Sequence, residues 1–168
     1  MYRKELRIGL DVDQVIVDFM NPYIKRFGLP KNEKQISKNV FRILRNDKDF
    51  WFNTPIINIP DFIPSIICSK RCHPKQWSKT FLYEKIGIPF DVPFYQLVCQ
   101  TMNKSKYIQG KCDIYIDDSV SNFIDISQHN IPCLLMDTPW NRNFDTPYRI
   151  FSLEYKEIES MFRKFFNR

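Results

Sequence analysis

Asp11 and Asp13, and again Asp117 and Asp118, are carboxylate pairs that each follow a short apolar run, Leu6 to Leu10 in one case and Ile114-Tyr-Ile116 in the other. Such a run reads as a β-strand. Residues two apart on an extended chain share a side, so Asp11 and Asp13 are expected to point the same way. Carboxylates crowded together repel unless a cation sits between them, and an all-oxygen set suits Mg²⁺. Ser69, followed by Lys70 and Arg71, comes after the run Ile66-Ile-Cys68, and a hydroxyl beside two cations is suited to a phosphate oxygen. Lys104 and Lys106 follow a further run, Phe94 to Cys99. Taken singly, each of these is more often a polar turn or loop. Their shared position after strands is what sets them apart.

The intervening sequence supplies the positioning elements. Ile16, Phe19/Met20, Tyr23/Ile24 and Phe27 recur at helical spacing and stop at Gly28 and Pro30. A second helix is expected from Glu33 to Arg45, with Lys34, Lys38, Arg42 and Arg45 on one side. A solvated face is the commoner fate of such a stripe. Phe50 to Pro60 reads as an irregular connection, so residues 20–58 form a small, mostly helical insertion after the first strand. Strands are then expected at Phe62–Cys68, Phe94–Cys99, Ile114–Ile116, Ile131–Met136 and Tyr148–Leu153. Helices are expected at Pro74–Gly87, after Ser119, and from Glu154 to about Phe166. This alternation predicts an α/β fold, a parallel sheet flanked by helices, in which ligands sit beyond the strands' carboxyl ends.

The chain of 168 residues is 43% hydrophobic and 26% charged, which suits one domain over residues 1–168 with a core of its own. No apolar run reaches the roughly 18 residues of a membrane span and no signal-peptide core is evident, so a cytoplasmic protein with no membrane contact is expected. Five cysteines at irregular spacing suggest free thiols. Cys68, Cys72 and His73 invite a zinc reading, but a second ligand pair at matching spacing is missing. The net charge of +6 favours anionic ligands in general. Gly-x-x-x-x-Gly-Lys-Ser/Thr phosphate loops and Gly-x-Gly-x-x-Gly turns are absent, which removes support for kinase and dehydrogenase readings.

The order acid, hydroxyl, lysine, acid pair, opened by Asp-x-Asp-x-Val, resembles the haloacid dehalogenase (HAD) superfamily of phosphatases. Within it, Leu10-Asp-Val-Asp-Gln-Val-Ile-Val-Asp-Phe19, Phe50-Trp-Phe-Asn53, Ile114-Tyr-Ile-Asp-Asp118 and Met136-Asp-Thr-Pro-Trp-Asn141 resemble the 5′(3′)-deoxyribonucleotidase, cytosolic type C 5′-nucleotidase-like family. The likeness runs from Leu6 to Asn141. It implies a Rossmann-like HAD fold with a small helical cap, and a Mg²⁺-dependent hydrolase of nucleoside monophosphates that works through a phospho-aspartate.

By this resemblance Asp11 is the nucleophile and Asp13 the acid and base. Ser69 binds phosphate, Lys104 or Lys106 neutralises it, and Lys70, Phe19 and Trp51 face the substrate. Asp11, the Asp13 carbonyl and the pair Asp117/Asp118 hold the metal, with Asp118 the favoured direct ligand. Elementary electrostatics asks for the same parts. A carboxylate about 4 Å from a phosphate dianion is repelled by roughly 8 kcal/mol at an effective dielectric of 20, which a divalent cation and an ammonium offset. Gln14 stands where the family commonly has Gly. A phosphorylated nucleic-acid end is an alternative substrate, and a non-catalytic phosphate-binding module is a reading from another class. The sequence leaves homodimerisation open.

Overall fold

The structure, a computed structural model, describes residues 5–98 and 102–166. Strands run over Ile8–Leu10 (β1), Ile66–Lys70 (β2), Phe94–Leu97 (β3), Ile114–Asp117 (β4), Cys133–Met136 (β5) and Arg149–Ile150 (β6). They form one sheet in the order β3-β2-β1-β4-β5-β6, parallel throughout. Helices occupy Met20–Phe27 (α1), Glu33–Arg42 (α2), Lys48–Phe52 (α3), Lys75–Phe81 (α4), Ser105–Ile108 (α5), Val120–Gln128 (α6) and Tyr155–Phe165 (α7). Among the described residues no helix is long and apolar enough to cross a membrane.

Strand periodicity decides which side chains meet which helices. Ile8, Leu10, Ile67, Ile114, Ile116, Leu134 and Met136 pack on one face with Phe81, Leu82 and Ile158 from the helical layer. Their neighbours in sequence, Ile66, Cys68, Tyr115, Cys133 and Leu135, pack on the other with Ile108, Phe123 and Ile126. Both faces are covered, as an all-parallel sheet requires. Gly9 answers a local need. Tyr115 on β4 reaches across β1 to donate its hydroxyl to the Cys68 carbonyl on β2 at 2.6 Å. A Cβ at Gly9 would sit 2.6 Å from the Tyr115 ring and 2.9 Å from Ile66, so only glycine leaves room for that crossing.

The helical segment between β1 and β2 enters and leaves side by side. Val17 and Ile56 form an antiparallel bridge. The Asp18 N–H donates to the Pro55 carbonyl at 2.8 Å and the Ile57 N–H to that of Ile16 at 2.9 Å. Between these crossings α1, α2 and α3 bury an aromatic cluster of their own, centred on Phe19, Tyr23, Leu44 and Trp51. The Trp51 indole N–H donates to the Leu44 carbonyl at 2.7 Å, so this polar atom is not stranded in the cluster.

Several boundaries differ from the sequence expectation. The segment at Phe50–Phe52 is not irregular: it ends helix α3, whose first turn is capped by Asp47 accepting from the Phe50 N–H at 2.9 Å. The expected helix to Arg45 stops at Arg42 and continues as a 3₁₀ turn over Leu44–Asn46. Its Lys34, Lys38, Arg42 and Arg45 are exposed. Strand β2 begins at Ile66 rather than Phe62, beyond Pro64, and holds Ser69 inside the ladder opposite Gln96. Helix α4 passes into a wider turn over Leu82–Ile86 that stops at Gly87, whose φ of 85° suits glycine. Strand β6 is only two residues long. The end of the expected strand at Cys99, and Thr101 before the lysine loop, lie outside the described residues.

Candidate active site

In the order found here the strand direction of connection reverses between β1 and β4, and that is where a crevice opens at the carboxyl ends of a doubly wound sheet. Asp11 leaves the end of β1 and Asp117 ends β4, so the two acids stand astride the crevice. Carboxylate oxygens of Asp11, Asp117 and Asp118 lie within 4.8 Å of one another. Above them is an open cleft of about 530 Å³.

Lys104 supplies the cation at the base of this site. Its ammonium lies 2.8 Å from Asp11 Oδ2 and 2.6 Å from Asp117 Oδ2, with no exposed surface. Burial alone would push the ammonium down; the carboxylates of Asp11 and Asp117 outweigh it and hold Lys104 above the usual lysine range. Lys106, the other candidate, is exposed on α5, one turn of helix whose start at Lys104 turns that side chain inward.

Asp117 and Asp118 are treated differently by their surroundings. Asp117 is fully buried and accepts from Lys104, from Asn122 Nδ2 at 3.0 Å and from the Ser119 N–H at 3.0 Å. Burial pushes its carboxyl up and Lys104 opposes that. Asp118 lines the cleft, and burial with the neighbouring charges of Asp117 and Asp11 drives its carboxyl well above the ordinary range. An acid with that environment, beside two others, is a donor set for a hard cation. The all-oxygen chemistry fits Mg²⁺ and does not resemble a thiolate–imidazole zinc site. The zinc reading fails on geometry: His73 uses Nδ1 on the Pro74 carbonyl at 3.0 Å and Nε2 on Ser78 at 3.3 Å, and Cys68 is buried in the core.

Ser69 is buried and its hydroxyl has no hydrogen-bond partner among the described residues, yet Ser69 lines the cleft. An unsatisfied buried hydroxyl costs about 1–3 kcal/mol, which an arriving anionic oxygen would remove. Lys70 also lines the cleft and donates to Asn122 Oδ1 at 2.9 Å. Burial, then Lys104, lower its ammonium. Asn122 thus links Lys70 to Asp117; the sequence signal for it was slight, a polar residue in the turn that Ser119 caps. Phe19 and Trp51 also line the cleft, largely buried and stacked on each other at 5.7 Å.

The first loop has contacts that the sequence does not announce. Asp11 and Asp13 both line the cleft, although the chain leaves the strand after Leu10 and turns back through a Gln14 N–H to Val17 carbonyl bond of 2.6 Å. Arg71 is not a spare cation for phosphate: it grips Asp13 with Nη2 on Oδ1 at 2.6 Å and Nε on Oδ2 at 3.1 Å. These residues are 58 apart in sequence, and no local pattern announces the pair. Gln14 adopts φ 61°, the conformation that favours Gly. Its side chain accepts from the Met20 N–H at 3.1 Å, the first residue of α1, so it closes the loop against the helix. Asn141, in the last motif, ties the loops together by donating to the Asp118 and Met136 carbonyls, both at 2.8 Å.

His73 provides a pH expectation. Burial, and then the Arg71 guanidinium, push its imidazole down to about 3. The unfolded chain takes up a proton near pH 6.5 while the folded one does not. Stability from this group is therefore complete above about pH 6.5 and lost by about 1.4 kcal/mol per pH unit as pH falls toward 3. Melting temperatures from pH 7 to pH 4 should decline less steeply in His73→Gln than in the parent; equal slopes would refute this.

No family model matches the sequence, and no curated protein matches it. Solved structures do. The chain is similar to the magnesium-bound HAD-hydrolase YfnB of Bacillus subtilis, with TM-score 0.54 and 13% identity, covering 94% of this chain and 99% of that one. It is similar to a haloacid dehalogenase-like family hydrolase of Streptococcus pneumoniae, with TM-score 0.55, 11% identity and coverage of 94% and 98%. It is also similar to β-phosphoglucomutase of Clostridium difficile, with TM-score 0.54, 12% identity and coverage of 98% and 100%. At such identities these likenesses show the fold, which is the HAD-like Rossmann fold.

Proposed function

We propose that this chain is a Mg²⁺-dependent phosphomonoesterase that hydrolyses nucleoside monophosphates through a phospho-aspartate. The observation that carries the reading is the meeting of Asp11, Lys104 and Asp118 from three separate chain segments in one cleft, with the Ser69 hydroxyl, unpartnered among the described residues, in its wall. Asp11 is held for attack: Oδ1 accepts from the Val12 N–H at 2.7 Å and Oδ2 from Lys104 at 2.8 Å. Its carboxylate displaces the alkoxide from phosphorus, Asp13 protonates that alkoxide, and the same group then takes a proton from the water that cleaves the phospho-aspartate. Ser69 and Lys104 hold the phosphoryl oxygens, and Lys70 stands beside them. Asp11, Asp118 and the Asp13 carbonyl would hold Mg²⁺, with Asp117 behind them anchoring Lys104. The ion supplies charge neutralisation at the phosphoryl group.

The nucleoside part of the reading draws on the cleft's upper wall. Phe19, Met20, Ile36, Val40, Trp51 and Trp140 line it, and its volume suits a ligand of nucleotide size. The family resemblance adds the deoxyribonucleotide preference. Turnover should be measured over ribo- and deoxynucleoside monophosphates and over 3′- and 5′-phosphorylated oligonucleotides, with Mg²⁺ and with chelator. Hydrolysis of monophosphates that chelator abolishes and Mg²⁺ restores is the expected result. Turnover of oligonucleotides alone would overturn the substrate, and no Mg²⁺-dependent turnover of any ester would overturn the enzyme reading in favour of a binding module.

A further inference from the structure

We infer that Arg71 is a positioning residue for Asp13, through which the aromatic wall of the cleft sets the orientation of the proton-transfer group. The inference deepens the phosphomonoesterase reading and rests on it. Arg71 has 2% of its side chain exposed, and its fork holds both oxygens of Asp13. Its other amino group donates to Ser78 Oγ at 3.3 Å, and its guanidinium lies over the Trp51 ring at 5.0 Å. Trp51 is wedged in turn between the stacked Phe19 ring and the His73 ring, 4.4 Å away. A continuous series of contacts therefore runs from the cleft wall to Asp13.

The chemistry needs such a device. In the first half-reaction the phosphorus–oxygen ester bond breaks as the bond to Asp11 forms, and protonated Asp13 gives its proton to the departing alkoxide. In the second, the Asp13 carboxylate takes a proton from water as that water's oxygen bonds to phosphorus and the bond to Asp11 breaks, releasing phosphate. Both steps require one Asp13 oxygen to face the phosphorus. A carboxylate on one rotatable stem is fixed in plane and rotation by two parallel guanidinium bonds, whereas a lysine offers one point charge. A planar group pressing on Phe19 and Trp51 moves the surface against which Arg71 rests.

The test compares Arg71→Met and Arg71→Lys with the parent on two esters, an aryl phosphate whose leaving group needs no proton and a nucleoside monophosphate whose alkoxide does. Arg71→Met should lower kcat for the nucleotide by about 100-fold or more with KM changed only a few-fold. On the aryl phosphate it should give a burst of phenol equal to the enzyme, then slow turnover, as phospho-aspartate accumulates. Arg71→Lys should recover little of either loss. Stabilisation by Mg²⁺ should persist in both variants, because Arg71 does not touch the acid trio, and it reports that the site is folded. Equal losses on both esters without a burst, or lysine restoring parental rates, would overturn the role of Arg71. Should Arg71→Met not fold, the same comparison on Arg71→Lys and Ser78→Ala decides. A parent inactive on both esters would instead overturn the phosphomonoesterase reading itself.

Discussion

Lys104→Met is expected to be the most destabilising single change in the site, costing roughly 3–5 kcal/mol and lowering the melting temperature by on the order of 10 °C. Lys104 is fully buried and its ammonium contacts both Asp11 and Asp117. Removing it leaves carboxylates within 4.8 Å of one another at the carboxyl end of the sheet, without the ammonium that contacts two of them. Asp117 keeps the donors Asn122 and Ser119, which soften the loss but carry no charge. The size of the effect should depend on the metal. A divalent cation that binds the folded state alone stabilises it, and it should do so more in the variant, where it offsets the acids in place of the lost ammonium. Unfolding measured in chelator and in Mg²⁺ therefore gives a larger gap for Lys104→Met than for the parent. Lys106→Met, on an exposed side chain, should stay within about 0.5 kcal/mol of the parent. A Lys104→Met variant as stable as the parent in chelator would contradict the geometry of the whole site.

The same contrast between the two lysines shows where sequence reasoning runs out. Strands β1, β4 and β5 were legible because runs such as Ile114-Tyr-Ile116 are buried on both faces and end in acids or turns. The strand ends also pointed to Asp11, Ser69, Asp117 and Asp118, because a parallel sheet gathers its strand ends at one edge. Lys104 could not be separated from Lys106, since α5 is too short to show a helical period, and what distinguishes them is a turn made in three dimensions. Helix α3 is hard to read from sequence for a similar reason: Phe50, Trp51 and Phe52 are apolar on every side of a five-residue helix. The capping pattern Asn46-Asp-Lys-Asp49 was the available signal, and Asp47 does cap it. Strand alternation is no guide to Asp13, since the chain leaves β1 after Leu10, yet Asp11 and Asp13 both line the cleft. The Arg71 pairing arises from folding alone, as does the α1 contact that gives Gln14 its place despite a backbone angle that favours glycine.

Asp11→Asn separates chemistry from architecture. The amide keeps the shape of the side chain, so the Val12 N–H still finds an oxygen acceptor, while the charge and the nucleophilic oxygen pair are gone. Lys104 retains Asp117 at 2.6 Å, and one member of a crowded acid trio has been neutralised. Loss of the Lys104 attraction and relief of repulsion from Asp117 and Asp118 oppose each other, and the net change in stability should stay within about 1 kcal/mol. Turnover has no such compensation. Without the nucleophile the phosphoryl group has nowhere to go, and kcat should fall by at least about 10³-fold for aryl and nucleoside phosphates alike. The loss without a burst is the signature, because a change acting on proton transfer at Asp13 would still release one equivalent of phenol from the aryl ester. Phosphoenzyme, trapped by rapid acid quench in the parent, should be absent from the variant. Stabilisation by Mg²⁺ should also shrink, since a donor of the metal set has lost its charge. A folded Asp11→Asn protein with parental turnover would require a nucleophile other than Asp11, and the roles assigned to Asp13, Lys104 and Arg71 would then have no reacting atom to serve.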